Sequence, residues 1–379
     1  MYLLGFKLQS FSIMPHSLSK NLKSYFREID SPLFVTVMAI SLLGALNLWG
    51  VAGVNSLLFK KQIIFITVGL IIMVVFSFFN YRYLKNYSLP VLGFYFISVF
   101  LLFLTFYSQS VRGVNSWIIF GNFTFEPVEL AKLMLVILMA KYLSQRHIHI
   151  NDFRQIILAG IYFSLPFTII FLQPDLGSSI IFFTIWLGML IAAGINRRHL
   201  FFIISVVILV GSLAWFFVLH PYQKTRVISF LDPYNDPRGS GYNIIQSKIA
   251  IGSGYIYGNG LGQGSQSNLG FLPEPHNDFA LAAFTEQFGL IGVGTVMVLV
   301  IILISRILQI GSRVASNFGK LFSIGLSIFI GSHVFISAGV NIGLLPVTGL
   351  SFPFLSYGGS NLISLMAGLG TLQSIKRYG

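Results

Sequence analysis

Three residues that can take part in proton transfer stand close together late in the chain. They are Glu274, His276 and Asp278, and an apolar block follows them directly. In an extended segment the i, i+2, i+4 spacing would place all three side chains on one face. A carboxylate with an imidazole nearby is a candidate general base, and the group could also hold a divalent cation. The alternative is that Asp278 or Asn277 caps the next helix, a role compatible with catalysis.

Two further polar sites lie within or between apolar stretches. Glu129 and Lys132 are three residues apart in one such stretch, so a helix would place them on one face as a pair. Polar residues in such positions are functional candidates, and the alternative is an ion pair that braces the helices. Asp175 lies in a predicted tight hairpin, Gln173 to Gly177, where it either binds its own turn or contributes to a site.

Residues 220–280 form the longest stretch without an apolar block, and long loops in compact proteins tend to be functional. The Asp-Pro pairs at 232 and 236 predict consecutive turns. A nearly alternating glycine series from Gly252 to Gly264 could cradle a phosphate with its N–H groups, or form only a flexible loop. The loop cations Lys224, Arg226, Arg238 and Lys248, with Arg112 upstream, are the candidate contacts for an anionic substrate.

The segment 346–360 is uncharged and reads PVTGLSFPFLSYGGS. Its proline residues predict a kinked or re-entrant stretch. Such backbone is tolerated at membrane depth only where protein or a water-filled cavity covers it.

The composition decides the class of protein that carries these residues. Of the 379 residues 55% are hydrophobic and 9% charged, with a mean hydropathy of +0.81. A soluble multi-domain enzyme and a disordered chain are both excluded, because a soluble domain carries roughly 25% charged residues. The absence of cysteine excludes disulfides, thiol catalysis and cysteine metal sites.

Ten apolar blocks are long enough to cross a bilayer as helices. They are residues 33–50, 61–79, 89–107, 127–144, 156–172, 177–195, 200–219, 281–305, 320–340 and 359–375. The sequence therefore predicts an all-α polytopic membrane protein with a single domain over 1–379, an N-terminal tail over 1–32 and one large loop over 220–280.

The distribution of basic residues predicts the orientation. With both termini in the cytoplasm, sixteen Lys and Arg residues fall inside and seven outside, in agreement with the positive-inside rule. The basic excess then indicates topology and contact with anionic membrane lipids, and not nucleic-acid binding. Eight of the 11 acids lie outside or at the outer ends of spans, which favours chemistry at the outer membrane face.

Several of these stretches together resemble the SEDS family, which comprises RodA, FtsW and sporulation members. They read FLDPYNDPRGSGYNIIQSKIAIGSG, GQGSQSNLGFLPEPHNDF, FEPVELAK, QPDLGSS and LLPVTGLSFPFLSYGGS. The resemblance covers essentially all ten predicted spans, and QSKIAIGSG and GSQSNLGFLPE are closer to RodA than to FtsW.

The resemblance implies a bacterial cytoplasmic-membrane enzyme that polymerises lipid II into glycan strands at the outer face, with a class B penicillin-binding protein as partner. Asp278 matches the essential aspartate of the family's HTDF motif, Glu129 and Lys132 match the PSELAK pair, and Asp175 matches the QPDLG acid. The chain departs from the family pattern at Asn277, Pro275, Tyr255, Glu126, Val128, Ser337 and Ser351-Phe352.

The main hypothesis is thus a peptidoglycan glycosyltransferase active in cell elongation or division. Asp278 would be the base, with Glu274, His276 and the loop cations in support. The rival hypothesis is a flippase for a lipid-linked precursor, since ten spans with broken segments also suit transport. Transport should, however, require polar groups through the bilayer midplane. Of the charged residues, only Glu129 and Lys132 approach the membrane interior. A purely structural scaffold is the third alternative.

Overall fold

A computed structural model describes residues 29–108, 116–121, 123–146, 153–217 and 221–379. Within these ranges the chain is helical apart from a small antiparallel hairpin and the connecting turns. The helices are α1 (Ser31–Ala52), α2 (Leu57–Phe78), α3 (Arg82–Asn86), α4 (Ser88–Leu104), α5 (Pro127–Arg146), α6 (Phe153–Leu172), α7 (Leu176–Ala192), α8 (Arg197–Phe217), α9 (Pro221–Leu231), α10 (Tyr242–Ser253), α11 (Ser265–Asn268), α12 (Ala280–Arg313), α13 (Asn317–Asn341) and α14 (Gly359–Tyr378). The hairpin pairs β1 (Ile118–Phe120) with β2 (Phe123–Phe125), and Ile118 lies opposite Phe125.

Each of the ten predicted apolar blocks coincides with a helix. In the described part of the chain seven helices are long and apolar enough to cross a membrane: α1, α2, α4 with its following 3₁₀ turn, α6, α8, α12 and α13. The apolar helix α7 is shorter, with 17 residues. The helices α5 and α14 carry more polar side chains, most of which other helices cover. The predicted all-α polytopic membrane fold is confirmed.

Small residues set the distance between the central helices. A Cβ atom added to Gly370 of α14 would lie 2.5 Å from the Met73 carbonyl oxygen of α2, so only glycine fits there. Such contacts let backbones approach where lipid offers no hydrophobic drive for association. Residues 360–375 of α14 are buried almost without exception. In α8, by contrast, Ile203 is the one buried residue among those described, so α8 lies at the edge of the bundle.

Helix α12 is broken near its start. Gly289 has φ 64° and ψ −166°, which interrupts the helical hydrogen bonds. The glycine-rich loop supplies replacements, because Leu290 N–H donates to the Tyr255 carbonyl at 2.9 Å and Ile291 N–H to the Ile256 carbonyl at 3.1 Å. The break therefore satisfies its own backbone groups, as a stable kink requires.

The long loop is largely structured. Residues 221–253 contain α9 and α10 with the two Asp-Pro turns between them, and the Asp236 carboxylate accepts the N–H groups of Gly239 at 3.0 Å and Ser240 at 2.9 Å. Residues 218–220 lie outside the described residues. The predicted turns are present, and helices α9 and α10 flank them.

The Asp30 carboxylate joins α1, α12 and α14 at the end of the bundle opposite the long loop. Its carboxylate caps α1 through the Leu33 N–H at 3.1 Å. It also accepts hydrogen bonds from Arg306 of α12, down to 2.7 Å, and from Lys376 of α14 at 2.8 Å. Residues 1–28 of the predicted tail lie outside the described residues.

Candidate active site

A cavity of about 370 Å³ lies at the end of the bundle that carries the long loop. Its wall combines the β1–β2 hairpin, the starts of α5, α7 and α14, part of α9, the turn before α12 and the segment between α13 and α14. Five charged residues of the described part line it: Glu126, Glu129, Asp175, Arg226 and Asp278. Four of these were predicted as site residues, so the fold gathers candidates that are far apart in sequence.

Asp278 lies in the turn that precedes α12. A Cβ atom placed on Gly349 would lie 4.0 Å from its Oδ2 atom, so the 342–358 segment approaches the carboxylate closely. The N-cap position of α12 is Phe279, which makes no side-chain capping bond. Asn341 of α13 fills that role, because its Oδ1 atom accepts the Ala282 N–H at 2.9 Å. The Asn341 side chain thus supplies a cap to α12, and Asp278 lines the cavity.

The segment with Glu274, His276 and Asp278 is not extended, which was the condition for the predicted shared face. The segment forms turns, with Glu274 at φ 46° and its carbonyl accepting the N–H groups of Asn277 at 3.1 Å and Phe279 at 3.3 Å. Glu274 Oε2 accepts from the Asn277 side chain at 2.9 Å and lies 3.7 Å from His276 Nε2. Of the three predicted residues, only Asp278 lines the cavity. Within the described ranges, no group of three His, Asp or Glu side chains is arranged to hold a metal ion.

The predicted pair Glu129–Lys132 is confirmed and belongs to a larger buried network. Lys132 Nζ lies 2.7 Å from Glu129 Oε1 and 3.2 Å from His333 Nε2. Asn361 Nδ2 donates to Glu129 Oε2 at 2.9 Å. Because an ammonium only donates, His333 accepts through Nε2, which leaves a proton on Nδ1 facing the Ser351 carbonyl at 3.4 Å.

The sequence interpretation missed His333, Asn361 and Asn341. They lie on α13 and α14, and each makes a contact with a residue at least 59 positions away in the chain. The available signal was their polarity within apolar blocks, which marks functional or structural polar contacts in membrane helices.

Asp175 lies directly before α7 and beside the cavity. It caps α7 with its Oδ1 atom, which accepts the Ser178 N–H at 2.9 Å, and it lines the cavity. The hairpin before it is anchored by Gln173, whose Nε2 atom donates to the Leu102 carbonyl at 2.9 Å and to Thr105 at 2.7 Å.

Among the candidate loop cations, Arg226 is the one that reaches the cavity. It sits on α9, and its Nη1 atom is 3.5 Å from the Val347 carbonyl oxygen. Lys224 does not line the cavity, and Lys248 packs instead against Gly343 at the end of α13. Arg238 is exposed outside the cavity, and Arg112 lies outside the described residues.

The glycine series does not form a phosphate cradle. Gly258, Gly260 and Gly262 have positive φ, as that series permits, but their N–H groups already donate within the protein. Gly258 donates to Gly254, Gly260 to the Gln287 carbonyl at 3.1 Å, and Gly262 to Gln287 Oε1 at 3.1 Å. The loop therefore fastens to the start of α12, and none of these glycines lines the cavity.

The uncharged segment between α13 and α14 is covered by protein, as its composition predicted. Leu350, Phe352 and Phe354 are buried, and Ser356 Oγ donates to the Asn277 carbonyl at 2.9 Å. The Tyr357 N–H donates to the His276 carbonyl at 2.8 Å. The segment thereby holds the turn that carries Asp278.

Comparisons with known proteins agree with this architecture. Peptidoglycan glycosyltransferase MrdB of Escherichia coli (strain K12) is 36% identical over 361 residues, which cover 94% of this chain and 96% of that protein. A solved structure described as "Structural coordination of polymerization and crosslinking by a peptidoglycan synthase complex" matches with a TM-score of 0.78 and 32% identity, covering 92% of this chain and 98% of the other. The rod shape determining protein RodA of Thermus thermophilus matches with a TM-score of 0.69 and 27% identity, over 92% of this chain and 97% of that one.

A family model agrees with these relatives over almost the whole length. The model, described as a cell cycle protein and built on FtsW, RodA and SpoVE, matches residues 30–379. The chain therefore belongs to the FtsW/RodA/SpoVE family, on its RodA-like side.

Proposed function

We propose that this chain polymerises lipid II into glycan strands at the outer face of the cytoplasmic membrane, with Asp278 as the general base. Its family and its glycosyltransferase relatives give the activity, that of a multi-pass membrane peptidoglycan glycosyltransferase. One observation supports the assignment of the site: Asp278 and Arg226 line the same cavity, at the end of the bundle that the basic-residue distribution places outside.

The reaction requires a base and a group that stabilises the leaving diphosphate. The C4 hydroxyl oxygen of the acceptor sugar attacks the anomeric carbon of the donor, and the bond from that carbon to the undecaprenyl diphosphate breaks. The hydroxyl proton passes to the Asp278 carboxylate, which is the task of a positioned general base. The released diphosphate carries the negative charge, and among the described residues that line the cavity Arg226 supplies the cationic side chain for contacting it.

Asp175 and the Glu129–Lys132 pair help to position the site. Asp175 fixes the start of α7 at the cavity wall. The ion pair fills the polar floor, where Asn361 and His333 complete its hydrogen bonds. Glu274 and His276 act on the backbone of the Asp278 turn and not on the substrate.

The partner we propose is a class B penicillin-binding protein that crosslinks the new strands. The solved neighbour with 32% identity belongs to a complex whose description names polymerisation and crosslinking. That description supports an equivalent partner for this chain.

A flippase role is not favoured. Transport of a lipid-linked precursor should require polar groups along a path through the bilayer. The charged residues of the cavity cluster at one end of the bundle, and Glu129 and Lys132 are already paired in the interior.

The proposed function is tested with purified protein and lipid II, alone and with a cognate class B penicillin-binding protein. Glycan polymer resolved on a gel is the expected product, and the Asp278→Asn protein is the negative control. Absence of polymer in both conditions, together with transbilayer movement of lipid II in proteoliposomes, would replace this proposal with the flippase.

A further inference from the structure

Four of the described residues that line the cavity carry a carboxyl group. Glu126 differs from Glu129 and Asp175 in the partners of that group. Glu129 is matched by Lys132 at 2.7 Å and Asn361 at 2.9 Å. Asp175 is matched by the amino end of α7. The Glu126 carboxyl accepts a hydrogen bond from the neutral Trp117 side chain. Its backbone is fixed in place, since the Glu126 N–H donates to Ser360 Oγ at 2.9 Å.

The charges around Glu126 come from several elements. They are Glu129 and Lys132 on α5, Asp175 before α7, Arg226 on α9, Asp278 before α12 and, behind Lys132, His333 on α13. Among the described residues, four ionised carboxyl groups would face Arg226 on the cavity wall and Lys132 behind it. An anionic diphosphate would add to this excess of negative charge, and like charges in a confined site favour retention of a proton.

Glu126 is the carboxyl group placed to retain that proton. It precedes α5 and lies outside the membrane-spanning segments. Its pKa is raised to about 8, chiefly by burial and also by the Glu129 and Asp175 carboxylates, while Lys132 and the Trp117 hydrogen bond oppose the rise. At neutral pH the group is therefore neutral, and its O–H can donate a hydrogen bond.

We propose that Glu126 binds substrate as the protonated acid and donates a hydrogen bond to an oxygen of the lipid-linked diphosphate. The inference rests on the proposed function, because that function brings a diphosphate into this cavity. Protonation removes one negative charge from the cavity and supplies a donor in the cavity that Arg226 also lines. Ionisation of Glu126 reverses both effects, so the substrate affinity falls above neutral pH.

The experiment measures binding without turnover. Farnesyl diphosphate, a short prenyl diphosphate, is titrated by calorimetry into the purified full-length protein at pH 7 and pH 9. If only protonated Glu126 binds, the competent fraction falls ~tenfold between these values, and the Kd of the wild type rises ~tenfold more than the ionisation of the ligand explains. Glu126→Gln keeps a neutral donor, so its Kd should follow the ligand's ionisation alone. Glu126→Ala lacks the donor and should bind more weakly than Glu126→Gln at pH 7.

Parallel pH dependence in the wild type and Glu126→Gln would overturn the proposal, as would absence of wild-type binding at pH 7. Should Glu126→Gln not fold, infrared difference spectra of the wild type decide. A protonated-carboxyl band that disappears between pH 7 and pH 9 supports the inference, and its absence refutes it. Because no turnover is needed, a protein that binds in this way but makes no glycan would contradict the proposed function and leave the anion site standing.

Discussion

Asn341 binds the backbone at Asp278 and again at Ala282, four residues later. Its Nδ2 atom donates to the Asp278 carbonyl oxygen at 2.9 Å, and its Oδ1 atom accepts the Ala282 N–H at 2.9 Å. The same Nδ2 atom donates to the Ser337 carbonyl at 2.8 Å within α13. The end of α13 thus fixes the turn that carries the proposed base and caps the helix that follows it.

Replacing Asn341 by alanine should therefore damage both stability and activity. Loss of these buried hydrogen bonds should lower the free energy of unfolding by about 1–3 kcal/mol. Polymerisation per folded molecule should also fall, because Asp278 loses its support. Thermal unfolding in detergent and a lipid II gel assay measure the two effects, and Asn317→Ala at the exposed start of α13 is the control. Normal activity per folded molecule would show that Asp278 is held by other contacts.

Substitution Asp278→Asn tests the base itself. Size and polarity are retained, but basicity is lost, so lipid II polymerisation should slow by roughly 10²–10⁴-fold. Folding and membrane insertion should stay normal, because asparagine keeps the acceptor oxygen that a capping bond needs and Asn341 still caps α12. Asp232→Asn, in an Asp-Pro turn where asparagine works as well, is the matched control. Equal rates for the two variants at equal membrane abundance would remove Asp278 from the mechanism.

Glu129 and Lys132 should behave as a coupled pair. Removal of either partner strands a buried charge, at a typical cost of about 3–5 kcal/mol. Glu129→Ala and Lys132→Ala should each lower stability in detergent, and the double variant should lose less than the sum of the two. A double-mutant cycle on unfolding free energies measures the coupling. Strict additivity would contradict the 2.7 Å contact.

The buried Asp30 carboxylate should make the free energy of unfolding fall at acid pH. Burial alone would raise its pKa, but hydrogen bonds from Arg306, Lys376 and the Leu33 N–H outweigh it and lower the pKa from 3.8 to about 2. The stabilisation is thus fully present above pH 3.8 and is lost as the pH falls through about 2. Unfolding of the wild type and Asp30→Asn from pH 6 to pH 2 checks this. The difference in unfolding free energy between the two proteins should be largest at pH 6 and should shrink towards pH 2. A difference that does not change with pH would argue against the ion pairs.

The orientation can be tested at Ser265, an exposed residue at the start of α11. The chain contains no cysteine, so Ser265→Cys provides a single reactive thiol. If the long loop is external, an impermeant thiol reagent should label this variant on intact protoplasts. Ser312→Cys, exposed at the other end of α12, should react only after lysis. The reverse pattern would invert the topology.

The sequence by itself determined the elements and the local pairs. Hydropathy over about 20 residues predicts a spanning helix because the bilayer core demands internally satisfied backbone groups. All ten predicted blocks are accordingly helices. Glu129 and Lys132 were predictable because three residues bring side chains to one helical face. Asp175 likewise caps the helix that begins at the next residue.

Only the tertiary structure decided which distant residues meet. The capping of α12 by Asn341 joins residues 59 positions apart in the chain. The hydrogen bond from Asn361 to Glu129 joins residues 232 positions apart. No periodicity along the chain encodes such contacts, because helix packing sets them. The turns from Glu274 to Phe279 are held by bonds from Ser356 and Tyr357 across the fold. Packing of the 342–358 segment against these turns thus decides that Asp278, of the three candidates, lines the cavity, which spacing along the chain does not encode.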